Sequence, residues 1–430
     1  MEGKKGKSPP LEGITVIDLT QAWAGSYATS LLGDMGAEII KIEARNRPDP
    51  WRGSVDPELA ALAPHYYLGG DAGSKPYNRN CLFHGVNRNK RSVTLNLLMP
   101  KGVSLFKRLV QQGDIVIENF TPRVMGNLGL GYDELREVDP GIIMLSMPAY
   151  GITGPLKDCR GVGGTVEPMS GMSSLIGYSG GPPMNHGVMY PDPIAGMMAV
   201  CALLMALHHR RRTGVGQFID LSQQETSTSL LIGALMDYAM NRRVAKRQGN
   251  RHKFMVPHKH YRCRGNDEWI AIAVTSDEEW QKMVQVMGNP AWADSERFGT
   301  AIARLRNEDA LDRHIEAWTM QHDKHELMMK LQSGGVAAGV VHSLREIAYH
   351  PHLKARGFIA DLDYREAGNI KTPGVAWKMS ATPGRIWRTA PNLGEDSEYV
   401  LRRYLGITAD EYCDLVEMGV TGEAPVNADG

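Results

Sequence analysis

The first forty residues hold a strand, a helix and a second strand joined by very short connections. Ile14-Thr15-Val16-Ile17-Asp18-Leu19 is a β-branched run that reads as a strand. Ala24 to Met35 reads as a helix ended by Gly36, and Glu38 to Ile42 as the next strand. A strand–helix–strand unit with such short links closes in a right-handed crossover, so the two strands belong side by side in a parallel sheet. The pattern recurs with strands at Ser92–Leu97, Asp114–Glu118 and Ile142–Met147, and a helix at Lys101–Gln111. The first ~150 residues therefore predict a Rossmann-like, doubly wound α/β layer.

The chain has 430 residues, more than one typical core organises. Its character changes near residue 225. A helix over Glu225–Arg243 leads to strand-like Lys259–Cys263 and Trp269–Val274, then to helices as far as Gln332. This predicts a smaller α+β domain over 225–345. It sits between a large α/β domain at 1–224 and a return segment at 346–430 that completes that domain. The return segment has a strand near Phe358–Leu362 and a final helix before the polar tail from Thr421. Residues 46–91 carry Pro, Gly, Asn and aromatics without a sustained period, as a functional loop or an ordered excursion would.

Lys plus Arg equals Asp plus Glu, which gives no global field for nucleic acid or an anionic membrane. The apolar run Ile194–Leu207 is too short to span a bilayer. Met1 to Lys7 is charged, with no signal-type apolar stretch after it. Five scattered cysteines lack metal-ligand spacing, so neither a metal nor a disulfide framework is expected. A cytoplasmic location is the simplest expectation.

Asp192 lies in Tyr190-Pro191-Asp192-Pro193-Ile194-Ala195-Gly196, just before that apolar run. With Pro193 as first helical residue, Asp192 falls at the N-cap, where backbone N–H groups and the helix dipole hold a carboxylate ionised and fixed. A carboxylate nucleophile needs those properties, and an ordinary cap has them too.

Several segments, in order, give the chain a wider likeness. They are Gly13–Thr20 with Ala24-Gly25, Leu32–Glu43, Asn89-Lys90-Arg91-Ser92, Glu118-Asn119-Phe120, Arg212–Gln217 with Asp220, Gly249–His252, and Ser380–Gly384. Together they resemble the class III CoA-transferase family, which includes formyl-CoA transferase, carnitine CoA-transferase and α-methylacyl-CoA racemase. The resemblance covers nearly the whole chain and implies an interlocked dimer, of one chain or of paralogous subunits. It makes Asp192 the acyl-accepting nucleophile, acting through a mixed anhydride and an aspartyl-CoA thioester. CoA thioesters are then substrates and no cofactor is tightly bound. The resemblance also places CoA against Ala22, Trp23, Ala24, Asn119 and Phe120. Arg45, Lys90 and Arg160 become candidates for its phosphates, although Lys90 with Arg91 equally reads as a solvated loop pair and Phe120 as core. The basic residue usual eight positions after the asparagine is Asn127 here. Backbone N–H groups of Gly177–Gly181 are candidate oxyanion donors, or only a flexible turn.

Gly161-Val162-Gly163 departs from the family pattern. Val162 cannot abstract a proton, which argues against the racemase alternative. Gly163 removes a carboxylate that relatives carry. Glu167, one turn on, either replaces it or is a surface residue, the latter being preferred. The loss also keeps a third alternative open, a non-catalytic CoA-binding subunit of a heteromer. Methionines 169, 172, 184, 189, 197 and 198 crowd around Asp192 and suit a bulky acyl group. Of the family's activities, succinyl-CoA-dependent transfer to an aryl-substituted succinate, an aromatic-degradation reaction, fits them best.

Overall fold

In the computed structural model, which describes residues 8–426, the chain divides into two compact units. The first comprises residues up to 172, 185–240 and from 351 onward, and the second 173–184 and 241–350.

The first unit is built on six parallel strands: β1 Thr15–Asp18, β2 Glu38–Glu43, β3 Lys90–Thr94, β4 Ile115–Glu118, β5 Ile143–Ser146 and β6 Phe218–Asp220. Their order is β3-β2-β1-β4-β5-β6, with Ile17 aligned to Ile40 on one side and to Val116 on the other. Helices cover both faces, which is why the strands read as continuous apolar runs. Val16, Ile39 and Ile115 face helix α1 (Ala24–Asp34) and the long helix α4 (Pro191–Thr213). Ile17, Ile40 and Val116 face α2 (Pro100–Val110) and the C-terminal helix Ser397–Leu405, which contributes Val400 and Leu401. The return segment thus completes the core laid down by the N-terminal residues. Helix α3 (Gly163–Met169) lies between β5 and α4 in the chain.

Several boundaries differ from expectation. β3 begins at Lys90 and ends at Thr94, so Leu95 to Leu97 lie beyond it. β6, only three residues long, gives no periodic signal. The helix expected over 225–243 is two helices, Gln223–Thr228 and Ile232–Asn241, with a 3-10 turn between, and all but the last residue stay with the first unit. The strand near 358 pairs as a hairpin with an unanticipated partner, Ile359–Tyr364 with Gly368–Pro373. Residues 46–91 are an ordered excursion of short helices around Arg52, a fully buried cation.

The second unit is an antiparallel sheet, His258–Arg262, Trp269–Ala273 and Ala337–Val340. Helices Asp277–Val286, Glu308–Thr319 and Lys324–Ser333 pack on it around Trp280, Ile315 and Leu327.

At 23 residues, α4 is long and apolar enough to cross a membrane by length and composition, contrary to the estimate from its apolar run alone. Its inner stripe of Ala195, Ala199, Leu203 and Ala206 is buried in the first unit's core, the setting of a core helix.

Candidate active site

The sheet order reverses between β1 and β4, and ligands of open α/β sheets bind at the carboxyl ends of strands flanking such a point. Two loops meet there. Asn119, after β4, accepts from the Gln21 N–H at 2.8 Å and donates to the Gln21 carbonyl at 2.8 Å. This stitches the β4 end to the turn after β1. In that turn Ala22 takes a left-handed φ of 57°, and its N–H donates to Asp49 at 3.0 Å. Asp49 is anchored by Lys41 at 2.9 Å, and Lys41 also donates to the Thr20 carbonyl. Trp51, two residues beyond Asp49, lies 5.5 Å from the half-buried Trp23. The excursion therefore supplies both the hydrogen bond that holds the turn and an aromatic partner beside it.

Ala24 then opens α1, where first-turn N–H groups lack helical partners. Its N–H lies near enough to the Asp192 carboxylate to favour the ionised form. Gly196 makes this approach possible. One turn after Asp192, it passes so close to α1 that a Cβ would lie 2.7 Å from the Ala24 carbonyl and 3.2 Å from the Tyr27 ring. The glycine is legible in the sequence, but its reason is this helix crossing.

Asp192 is not an N-cap. Helix α4 starts at Pro191, its N-cap is Tyr190, and Asp192 is the second helical residue. The carboxylate turns to α1 as well as to its own N–H. Its acidity differs from expectation too. Burial raises its pKa to about 6, and the N–H groups of Ala24 and Asp192 offset only part of that. One oxygen, Oδ2, is buried without a partner. It occupies the place where a side chain on residue 163 would begin, since a Cβ built on Gly163 would collide with it. The glycine at this position thus leaves room for Asp192 Oδ2. Gly163→Ala is expected to cut turnover at least about a hundredfold by displacing the Asp192 carboxylate. Near-wild-type turnover in that variant, with an unchanged melting temperature, would refute this placement.

The other expected residues divide. Ala22, Trp23, Ala24 and Asn119 come together at the switch point. Phe120, half-buried, packs against the core beneath β4. Lys90 is neither a phosphate ligand nor a solvated charge. It is fully buried, donating to Asp18 at 3.0 Å, the Ser26 carbonyl at 2.9 Å and Asn87 at 2.8 Å. Burial lowers its pKa to about 8 despite Asp18. Arg91 likewise pairs with Glu38 and Asp396. Arg45 is partly exposed and donates to the carbonyls of Thr421 and Ala424. Arg160 and Asn127 are exposed. Gly177–Gly181 belongs to the second unit, where Arg247 holds the Gly181 carbonyl at 3.0 Å.

Glu167 is a further correction, because it is fully buried rather than a surface residue. Its Oε1 accepts the His186 backbone N–H at 2.7 Å and lies 2.9 Å from His186 Nδ1. The sequence carried no signal for this pair, nor for Asp49. Glu118, at the end of β4, was also missed as a titrating group. Burial lifts its pKa to about 7, against hydrogen bonds from Ser146 and the Phe120 N–H.

Among the described residues, one His/Glu group, His325, His342 and Glu346, brings three donor atoms within 4.8 Å. Glu346 there is already bound by Lys324 at 2.9 Å and by the Ser343 N–H at 2.7 Å, as the acid of a helix capping box. An ion-pair cluster accounts for that group.

The sequence model of CoA-transferase family III matches residues 11–397. Succinyl-CoA--D-citramalate CoA-transferase from Chloroflexus aurantiacus is 33% identical over 94% of this chain and 96% of its own length. The alpha subunit of succinyl-CoA--L-malate CoA-transferase from the same organism is 33% identical over 94% of this chain and 90% of its own length. Among solved structures, a CAIB/BAIF family protein from Brucella suis superposes with a TM-score of 0.83 at 29% identity, covering 93% of this chain and 100% of that one.

Proposed function

The chain belongs to CoA-transferase family III and is a CoA-transferase, and from that premise we propose that it carries CoA from succinyl-CoA to a second dicarboxylic acid through Asp192. The observation that carries this reading is the seat of Asp192, a buried carboxylate beside the first N–H of α1 with its Oδ2 buried and unpartnered.

The free oxygen attacks the thioester carbonyl of the donor. The C–S bond breaks, CoA leaves as thiolate, and a mixed anhydride joins Asp192 to the acyl group. The thiolate then attacks the aspartyl carbonyl, the anhydride C–O bond breaks, and succinate departs from an aspartyl-CoA thioester. The acceptor carboxylate repeats the sequence in reverse, takes CoA and restores Asp192. Each step exchanges one ionised carboxylate or thiolate for another, so no proton is moved. The Ala24 N–H, at the positive end of α1, faces the oxyanion that forms when thiolate attacks the aspartyl carbonyl.

The names of the relatives favour small dicarboxylic acceptors. An aryl-substituted succinate is a bulkier member of the same class, and Met189, Met197 and Met198, each about half exposed, could pack against its ring. The outer side of α4 (Met197, Met198, Leu204, Met205) and Ile232 and Met236 leave a large apolar surface uncovered. In this reading a second copy or a paralogous subunit covers it.

The test is intact-protein mass after incubation with succinyl-CoA. A CoA-sized, hydroxylamine-sensitive gain on Asp192 is expected, and its rate should fall as pH drops through about 6, where the nucleophile protonates. Capture by the chain alone means a self-sufficient assembly. Capture only after a paralogous subunit is added means a heteromer. Capture with neither refutes the aspartyl route.

A further inference from the structure

The segment 185–190, which leads into α4, is held by α3 at three successive points. Asn185 donates to the Gly164 carbonyl at 3.0 Å. Glu167 accepts the His186 backbone N–H. Met189, at a left-handed φ of 44°, has its Cβ 2.8 Å from where a Cβ on Gly163 would stand. Glu167 and Gly163 share one face of α3, about 6 Å apart along its axis. The second oxygen of Glu167 is buried without a partner.

Glu167, as a carboxylate, only accepts hydrogen bonds, so the contact to Nδ1 fixes the proton on that nitrogen of His186. The ring lies tilted against that of Tyr190, with centroids 4.7 Å apart, and the side chain remains one-third exposed. The arrangement is a carboxylate-backed imidazole five residues before the helix that carries Asp192 begins.

The transfer sequence gives such a group no work as a base, because it moves no proton. An imidazole backed by a carboxylate is instead a group of fixed direction, and a cation when it carries both ring protons. Four buried cations of this unit are already paired: Lys41 with Asp49, Arg52 with Glu43, Arg88 with Asp34 and Lys90 with Asp18. A dicarboxylic acyl group brings one carboxyl carbon to Asp192 and a second carboxylate that needs a counter-charge.

We propose that His186, oriented by Glu167, binds the distal carboxylate of the dicarboxylic substrate. This rests on the transfer reading and adds to it the residue that selects dicarboxylic over monocarboxylic acyl groups.

The test compares succinyl-CoA with butyryl-CoA, its four-carbon monocarboxylic counterpart, on the full-length chain in its active assembly. His186→Ala and His186→Gln should raise KM for succinyl-CoA about tenfold or more, the loss of one charged hydrogen bond, and leave KM for butyryl-CoA within about twofold. Glu167→Gln keeps an acceptor for the backbone N–H and should lose selectivity without loss of fold. Equal losses on both thioesters would assign His186 a purely structural role and overturn the proposal. Exchange of the α-proton in deuterated water that disappears in His186→Gln would make it a base and overturn it as well. If the wild type captures CoA from neither thioester, the transfer reading itself fails.

Discussion

Asp192→Ala is expected to abolish CoA capture and to lower transfer by at least about 10⁴-fold, the scale on which removal of a covalent nucleophile acts. The reason is local. In the proposed route the Asp192 carboxylate is the acceptor in the first step and the carrier in the second. Retention of transfer in the reconstituted enzyme would make this chain the non-catalytic member of a heteromer.

The isostere Asp192→Asn separates chemistry from stability. A buried acid whose folded pKa is raised binds its proton more tightly in the native state than in the unfolded chain. Its penalty is therefore absent below the unfolded pKa near 4 and complete once pH exceeds about 6. The amide carries no charge and escapes that penalty. Asp192→Asn should be inactive yet more stable than wild type at pH 8, by about 2–3 kcal/mol, with the advantage vanishing toward pH 4. Denaturant midpoints at the two pH values check it. A variant that is less stable at pH 8 would mean that the N–H bonds outweigh desolvation.

The second large effect is expected at Arg52. Its guanidinium makes a two-pronged contact with Glu43, 2.8 Å on each side, donates to Asn78, and lies 3.7 Å from the centre of the Phe83 ring. Both partners are buried. Burial alone would raise Glu43, but Arg52 more than reverses this and holds it at about 2. Arg52→Ala leaves that carboxylate buried and unpaired, at a cost of about 3–5 kcal/mol. Replacing both partners together, Arg52→Met with Glu43→Leu, should cost much less, because no unpaired charge remains. Arg52 ends the short helix that begins beside Asp49. Loosening it should also free the Ala22 turn and raise KM for CoA thioesters. Comparable losses in single and double variants would show that packing, not charge pairing, holds the excursion.

Residues whose role depends on near neighbours were readable from sequence. The β1–α1–β2 unit, its repetition and the parallel sheet follow from period and turn residues within short windows. The Asp192–Gly196 motif carried the candidate nucleophile. Lys90 was misread because its three partners include Asp18, 72 positions away. A Lys-Arg pair after Asn looks like a charged loop until the sheet closes over it. Glu167 looked exposed on a helix with little periodicity, since the His186 that satisfies it enters from 19 residues on.

What the sequence by itself determined is the layer architecture and the candidate for the acyl-accepting side chain, because both are set by local pattern. Tertiary structure alone decided the chemistry of that side chain. The crossing of α1 and α4 at Gly196 brings Asp192 beside the Ala24 N–H, the glycine at 163 leaves room for its Oδ2, and burial moves its acidity to about 6. Desolvation is a property of everything packed around a group, and no window of sequence contains it.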